Sequence, residues 1–194
     1  MVNIKKREMK MIKKWKTLKS KQIFGNSLFG LREDTVKSPK TNNLHPVWIM
    51  NAPTWINIIP ITKDKEVILI KQYRFGKQEI TVEIPGGMID KDENPKEAAI
   101  RELLEETGYT SSNVVQIGRV TPNPALMNNY TYSFLAIDVE KTTEQKLDDM
   151  EDIELLKVNL EKIPSLIKNQ KIDHALVISA FYFLNNYLKT NSKI

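Results

Sequence analysis

The segment 94–108 constrains this chain more than any other, because both ends of a helix are written into it. Asn94 can cap the first turn, Pro95 suits the first helical position, Glu97 completes a capping box with Asn94, and Gly108 suits the left-handed exit. At about 100° per residue, Ile100, Leu103, Leu104 and Thr107 share one side, which is expected to face a core. Glu102, Glu105 and Glu106 fall within roughly 100° of arc on the opposite side.

That acidic side needs a reason to exist. Two carboxylates four residues apart, Glu102 and Glu106, destabilise an isolated helix by roughly 0.2–0.5 kcal/mol. Arg101 is the cation placed to offset this, and at spacing four it is expected to pair with Glu105, leaving Glu102 and Glu106 unneutralised. An unneutralised carboxylate pair suits a hard divalent cation such as Mg²⁺, which takes oxygen ligands and commonly shares them with substrate phosphates. The helix alone leaves a solvated acidic face as the alternative. Upstream, Gly86 and Gly87 follow Pro85 at the end of an expected strand. A backbone without side chains there can approach a phosphate or lend a carbonyl to a metal, or simply turn.

Around this helix the patterning is that of a mixed α/β chain. Segments 55–61, 66–74 and 80–84 are rich in β-branched and aromatic residues, as are 114–120, 130–139 and 153–158, so each is expected to form a strand. Helices are expected over 95–107, 163–167 and about 173–188. Trp15, Phe29 and Trp48 are expected to pack an N-terminal strand arm. The domain reading is a basic segment and strand arm over 1–46, joining two copies into a dimer, and a catalytic domain over 47–194.

Composition narrows the function classes. There is no cysteine, which excludes disulfides and thiolate zinc sites, and no apolar run approaches the roughly 18–20 residues of a membrane span. Without a secretory pattern at the start, the expected location is the cytoplasm. Of the net charge of +5, the excess sits at the start, where residues 1–40 carry twelve Lys or Arg. Lys5, Lys6, Arg7, Lys10, Lys13, Lys14 and Lys16 could touch nucleic acid or a membrane surface, or form a solvated terminus, and the latter is the expectation. His45 and His174 lack a metal-ligand spacing and are expected to be structural or exposed. The phosphate-binding P-loop and the dinucleotide glycine fingerprint are both missing.

Gly87, Glu93 and the run Arg101-Glu102-Leu103-Leu104-Glu105-Glu106-Thr107-Gly108-Tyr109 together match the Nudix signature at every fixed position. Only Tyr109 replaces the usual aliphatic residue at the end. By this resemblance the chain is similar to Nudix hydrolases, and Gln72-Tyr73-Arg74 with Glu83-Ile84-Pro85-Gly86-Gly87 is most like the branch that cleaves ADP-ribose and other nucleoside-diphosphate sugars. Pro124 stands where that branch often carries a proline associated with ADP-ribose specificity, although the surrounding Pro122-Asn123-Pro124-Ala125 differs from the commoner run.

The resemblance implies an α/β/α sandwich around a mixed sheet, Mg²⁺ as cofactor with Mn²⁺ as a substitute, and a homodimer in which the arms help form the nucleotide pocket. It implies that Glu102, Glu106 and the Gly86 carbonyl are metal ligands and that Glu105 is a ligand or water-orienting carboxylate. Arg101 and Glu93 would hold these residues together. The acidic loop 148–152 would complete the site, with Glu151 as ligand and Asp149 as alternative base, or else be merely solvated. Arg74 is the candidate phosphate contact and Glu83 a reader of sugar or base; either could instead be a strand-surface residue. Two rival readings stand beside this one: a pyrophosphohydrolase of capped or triphosphorylated RNA, and a non-catalytic sensor of ADP-ribose.

Overall fold

In the computed structural model, residues 11–191 are described; the basic residues Lys5, Lys6, Arg7 and Lys10 lie outside them. The chain divides into two units between Ala52 and Pro53. The first holds a three-stranded antiparallel sheet of β1 (Lys16–Gly25), β2 (Gly30–Lys37) and β3 (Leu44–Asn51), with β2 in the centre. Asn26 makes the β1–β2 turn by accepting the backbone N–H groups of Leu28 and Phe29, each at 2.8 Å. The expected strand arm is therefore present, but its large apolar side chains are not packed away: Trp15 is 52 % and Trp48 47 % exposed. Trp15 meets His45 edge to face instead, and Phe29 meets Phe24.

The second unit contains β4 (Trp55–Ile61), β5 (Glu66–Arg74), β6 (Glu79–Glu83), α1 (Pro95–Thr107), β7 (Tyr109–Thr110), β8 (Asn113–Val120), β9 (Thr131–Ile137), β10 (Glu140–Lys141), β11 (Glu154–Asn159), α2 (Ile163–Lys168) and α3 (Ala175–Thr190). Its main sheet has the order β11-β5-β4-β9-β8, with β6 also paired to β5. β4 and β9 run parallel while the other pairs are antiparallel, which makes the sheet mixed. The short β7 and β10 pair separately.

Alternation along the strands separates two cores, one on each face. Ile56, Ile58, Ile68, Phe134 and Ala136 face Ala98, Ala99 and Leu103 of α1. Ile59, Ile61, Val67, Leu69 and Leu135 face Val177, Ala180, Phe181 and Leu184 of α3, with Ile163 of α2 beside them. Strands buried on both faces explain why β4 and β5 read as nearly continuous apolar runs. The result is the α/β/α arrangement expected from the sequence.

The N-terminus of α1 is capped as its letters require. The Asn94 side chain accepts the N–H groups of Lys96 and Glu97, each at 3.0 Å, and Gly108 leaves the helix at φ 73°. Asn94→Ala is expected to cost about 1 kcal/mol, lowering Tm by roughly 2–4 °C in thermal denaturation.

The buried face of α1 differs from the periodicity reading. Ala98, Ala99, Glu102, Leu103, Glu106 and Thr107 are buried, whereas Ile100 is 38 % exposed and Leu104 only partly covered. Two alanines let the helix approach the sheet closely, and the acidic row Ala98-Glu102-Glu106 lies over the glycine segment instead of facing water. Side-chain polarity placed that row outside; the space left by Gly86 and Gly87 places it inside.

Candidate active site

The site begins with an extended segment pinned to β4. The carbonyls of Pro85 and Gly87 accept the N–H groups of Ile58 and Ile56, each at 2.9 Å. The intervening Gly86 N–H turns the other way and donates to Glu106 Oε2 at 2.8 Å. Because N–H and C=O of one residue share a side in an extended chain, the Gly86 carbonyl also lies on the side of the carboxylates.

The two glycines are required for different reasons. A Cβ on Gly87 would run into the Glu102 carboxylate, whereas one on Gly86 would run into the Ile56 carbonyl and the Asn57 Cα. Gly87→Ala therefore displaces a movable side chain and is expected to lower turnover with little change in Tm. Gly86→Ala forces the segment off β4 and is expected to cost about 1–3 kcal/mol of stability as well. Thermal denaturation run beside steady-state kinetics separates the two.

Burial and charge set the character of the carboxylates. Glu106 is 3 % exposed; burial pushes its carboxyl well above the ordinary range, and the charges of Glu102 and Glu151 push the same way against the Gly86 hydrogen bond. Burial also raises Glu102, against the opposing effect of Arg101. Arg101 does not pair with Glu105 alone. Its guanidinium reaches Glu93 at 2.9 and 3.0 Å, Glu102 at 2.8 Å, Glu105 at 3.1 Å and the Met88 carbonyl at 3.1 Å. Hydrogen bonding to Glu93 leads the forces that hold Arg101 protonated, and the same bond keeps Glu93 below the ordinary carboxylate range. The pair left unneutralised by the spacing argument thus shrinks to Glu106, since Arg101 sits at a fork where four groups meet.

The loop after β10 is folded against the C-terminal end of α1. Lys146 N–H donates to the Glu105 carbonyl at 2.8 Å, and the Gln145 side chain donates to the carbonyls of Glu106 at 2.7 Å and Ile153 at 3.2 Å. Gln145 carried no motif, yet it is the clamp that brings the acidic loop to the helix. Glu151 ends close enough for its charge to be felt at Glu102, Glu106 and Arg74. Asp149 is exposed.

On the sheet side, Arg74 forks onto Glu83 at 2.8 and 2.7 Å, and the Thr81 hydroxyl donates to the same carboxylate at 2.6 Å. Burial raises Glu83, but these partners outweigh it and hold the group below its ordinary value. His174, unremarkable in the sequence, has its Nδ1 3.9 Å from Glu83 Oε2. Pro124 is exposed in a turn where the Asn123 carbonyl accepts from Leu126 and Met127. That loop is anchored by Asn129, whose amide donates to the Pro53 carbonyl at 2.8 Å.

Among the described residues no three acidic or histidine side chains are gathered closely enough to hold a metal as they stand. The donor chemistry nonetheless fits a hard cation. Glu106 is a buried carboxylate whose hydrogen bond comes from a backbone amide and not from a cation, with Glu102, Glu151 and a glycine carbonyl around it.

A family model for the NUDIX domain matches residues 52–181, which spans α1, the glycine segment and the acidic loop. The chain belongs to the Nudix family. It is similar to the ADP-ribose pyrophosphatase of Bacillus subtilis (strain 168), with 29 % identity over 170 residues covering 87 % of this chain and 91 % of that protein. A second relative, the methanol dehydrogenase activator of Bacillus methanolicus, is 28 % identical over the same shares of both chains. The fold is also that of a solved ADP compounds hydrolase, at a TM-score of 0.84 and 22 % identity, covering 95 % of this chain and all of that one. As a Nudix hydrolase, the protein is a pyrophosphatase for nucleoside-diphosphate-linked compounds, and family membership implies Mg²⁺ dependence. No helix among the described residues is long and apolar enough to cross a membrane.

Proposed function

We propose that this Nudix hydrolase cleaves the diphosphate bond of ADP-ribose or a related nucleoside-diphosphate sugar, releasing a nucleoside monophosphate and a sugar phosphate. The observation that carries this reading is the buried Glu106, held by the Gly86 N–H beside Glu102 and facing the acidic loop. Similarity to an ADP-ribose pyrophosphatase over most of both chains supports the substrate class.

In this reading Glu102, Glu106, Glu151 and the Gly86 carbonyl would hold Mg²⁺, or Mn²⁺ in its place, with Glu105 a further ligand or a water-orienting carboxylate. When bound there, the cation would supply charge neutralisation of diphosphate oxygens and a lowered pKa for the attacking water. Arg101 and Glu93 hold the carboxylates in place, and Gly87 and Pro124 line the approach of the substrate. Arg74, oriented by Glu83, contacts a phosphate. With Glu151 serving as a ligand, Asp149 is the base that takes the proton from water as it attacks one phosphorus in line. The bridging P–O bond breaks, and the leaving oxygen departs on the second phosphate.

The arm over 1–46 is the dimer-forming part in this reading and 47–194 the catalytic part, in a cytoplasmic enzyme. The exposed Phe24, Leu44 and Trp48, which the strand register puts on one face of the arm, support a homodimer, because apolar groups of that size on one face mark an interface.

The test is product analysis with Mg²⁺ on ADP-ribose, other nucleotide sugars, dinucleoside polyphosphates, nucleoside triphosphates and capped RNA. AMP and ribose phosphate from ADP-ribose, produced faster than any RNA product and lost with a chelator, is the expected result. Preference for capped RNA, with steep weakening as salt rises, overturns it. The relative named as a dehydrogenase activator gives a second reading, a ligand-binding regulator. Thermal stabilisation by ADP-ribose without any product would establish that reading instead.

A further inference from the structure

Where the start of α3 meets β4, β6 and β9 lies a partly open pocket of about 40 Å³ lined by Asn57, Thr131, His174, Glu83, Arg74 and Gly86. Its walls combine partly exposed and buried polar groups. Asn57 is 6 % and Thr131 1 % exposed. The Asn57 amide donates to the Leu176 carbonyl at 3.1 Å, in the first turn of α3, but its Oδ1 has no hydrogen-bond partner among the described residues. Thr131 Oγ1 and His174 Nδ1 share that condition. So does Ser133 Oγ, on the residue that β9 places directly beside Asn57.

Leaving such groups unsatisfied costs roughly 1–3 kcal/mol each, and most buried polar groups in folded proteins are paired. The 3.9 Å between His174 Nδ1 and Glu83 Oε2 is too long for a direct hydrogen bond and is the kind of gap in which a bridging water belongs. A buried water needs about 10–15 Å³ of probe-occupied volume and two to four polar partners, and this pocket offers both. Its acceptors and donors are matched to water: a carboxamide oxygen, a carboxylate oxygen, a hydroxyl and an imidazole nitrogen.

We propose that this pocket is a structural hydration site, in which one or more bound waters join Asn57 Oδ1, Thr131 Oγ1, His174 Nδ1 and Glu83 Oε2. The waters form the polar joint between β4, β9 and the start of α3. The site also explains why Asn57, Thr131 and Ser133 interrupt otherwise apolar inward positions.

The test uses the sign of a stability change. Thr131→Val keeps the shape and strand preference of the residue but deletes its hydroxyl. If water bridges that hydroxyl, the valine variant loses about 2–4 °C in Tm, and Thr131→Ser, which keeps the hydroxyl, loses less. If the hydroxyl is instead an unsatisfied group in a dry space, valine relieves the burial cost and Tm stays level or rises. A high-resolution crystal structure of the parent is expected to show ordered water within hydrogen-bond distance of Thr131 Oγ1 and Asn57 Oδ1. A pocket without such density, or a valine variant as stable as the parent, overturns the proposal.

Discussion

Glu106→Gln is expected to leave the protein folded and to remove its Mg²⁺-dependent turnover. Glutamine retains a carbonyl oxygen that can accept the Gly86 N–H now held at 2.8 Å, so the tie between α1 and the glycine segment survives. What disappears is the negative charge. Groups that merely support metal ligands typically cost 10–100-fold when removed, so loss of a direct ligand should cost more than about 100-fold in kcat/KM. Stability should be equal or higher, because a buried carboxylate that hydrogen-bonds to a backbone amide, with Arg74 acting on it only through charge, has been replaced by a neutral group. Steady-state kinetics across a Mg²⁺ titration, with thermal denaturation of the same samples, checks both halves. Full turnover in the variant would count against a ligand role; lost turnover accompanied by a large drop in Tm would mean that Glu106 acts through the fold.

The architecture was largely readable because its signals are local. Asn94, Pro95 and Gly108 punctuate α1, and the β-branched runs 55–61 and 66–74 coincide with β4 and β5. The candidate carboxylates were readable for the same reason, since Glu102, Glu105 and Glu106 share one helix. Features that depend on what folds against that helix were not. Ile100 looked buried and Glu102 exposed until two glycines made room for carboxylates. Arg101 has Glu105 at helical spacing, but Glu93 reaches it from the preceding loop and becomes its leading partner. Gln145, Asn57 and His174 had no pattern at all, because each acts through a contact to a residue distant in sequence. Gln145 is 39 residues from the carbonyl it holds.

The Arg74–Glu83 pair yields the largest expected loss of stability, and its dependence on pH follows from which partner is buried. Glu83 is 3 % exposed, so its charge depends on the guanidinium and on Thr81, whereas the Arg74 side chain keeps 40 % of its surface in solvent. Arg74→Ala leaves the carboxylate buried without its cation. Breaking a fully buried pair costs about 3–5 kcal/mol; with the arginine partly solvated, about 2–3 kcal/mol is expected, or roughly 4–12 °C in Tm. In the parent, Glu83 titrates below its ordinary 4.5, so the stability it contributes is complete above that pH and is lost as pH falls through the folded value. Removing Arg74 reverses this, because burial then favours the protonated acid. The deficit of the variant should therefore be largest near neutral pH and shrink in acid, as measured by chemical denaturation at several pH values. Arg74→Lys supplies charge without the two-pronged geometry and should recover only part of the loss. A deficit that stays constant across pH would show that packing of the arginine stem, and not its charge, holds β5 against β6.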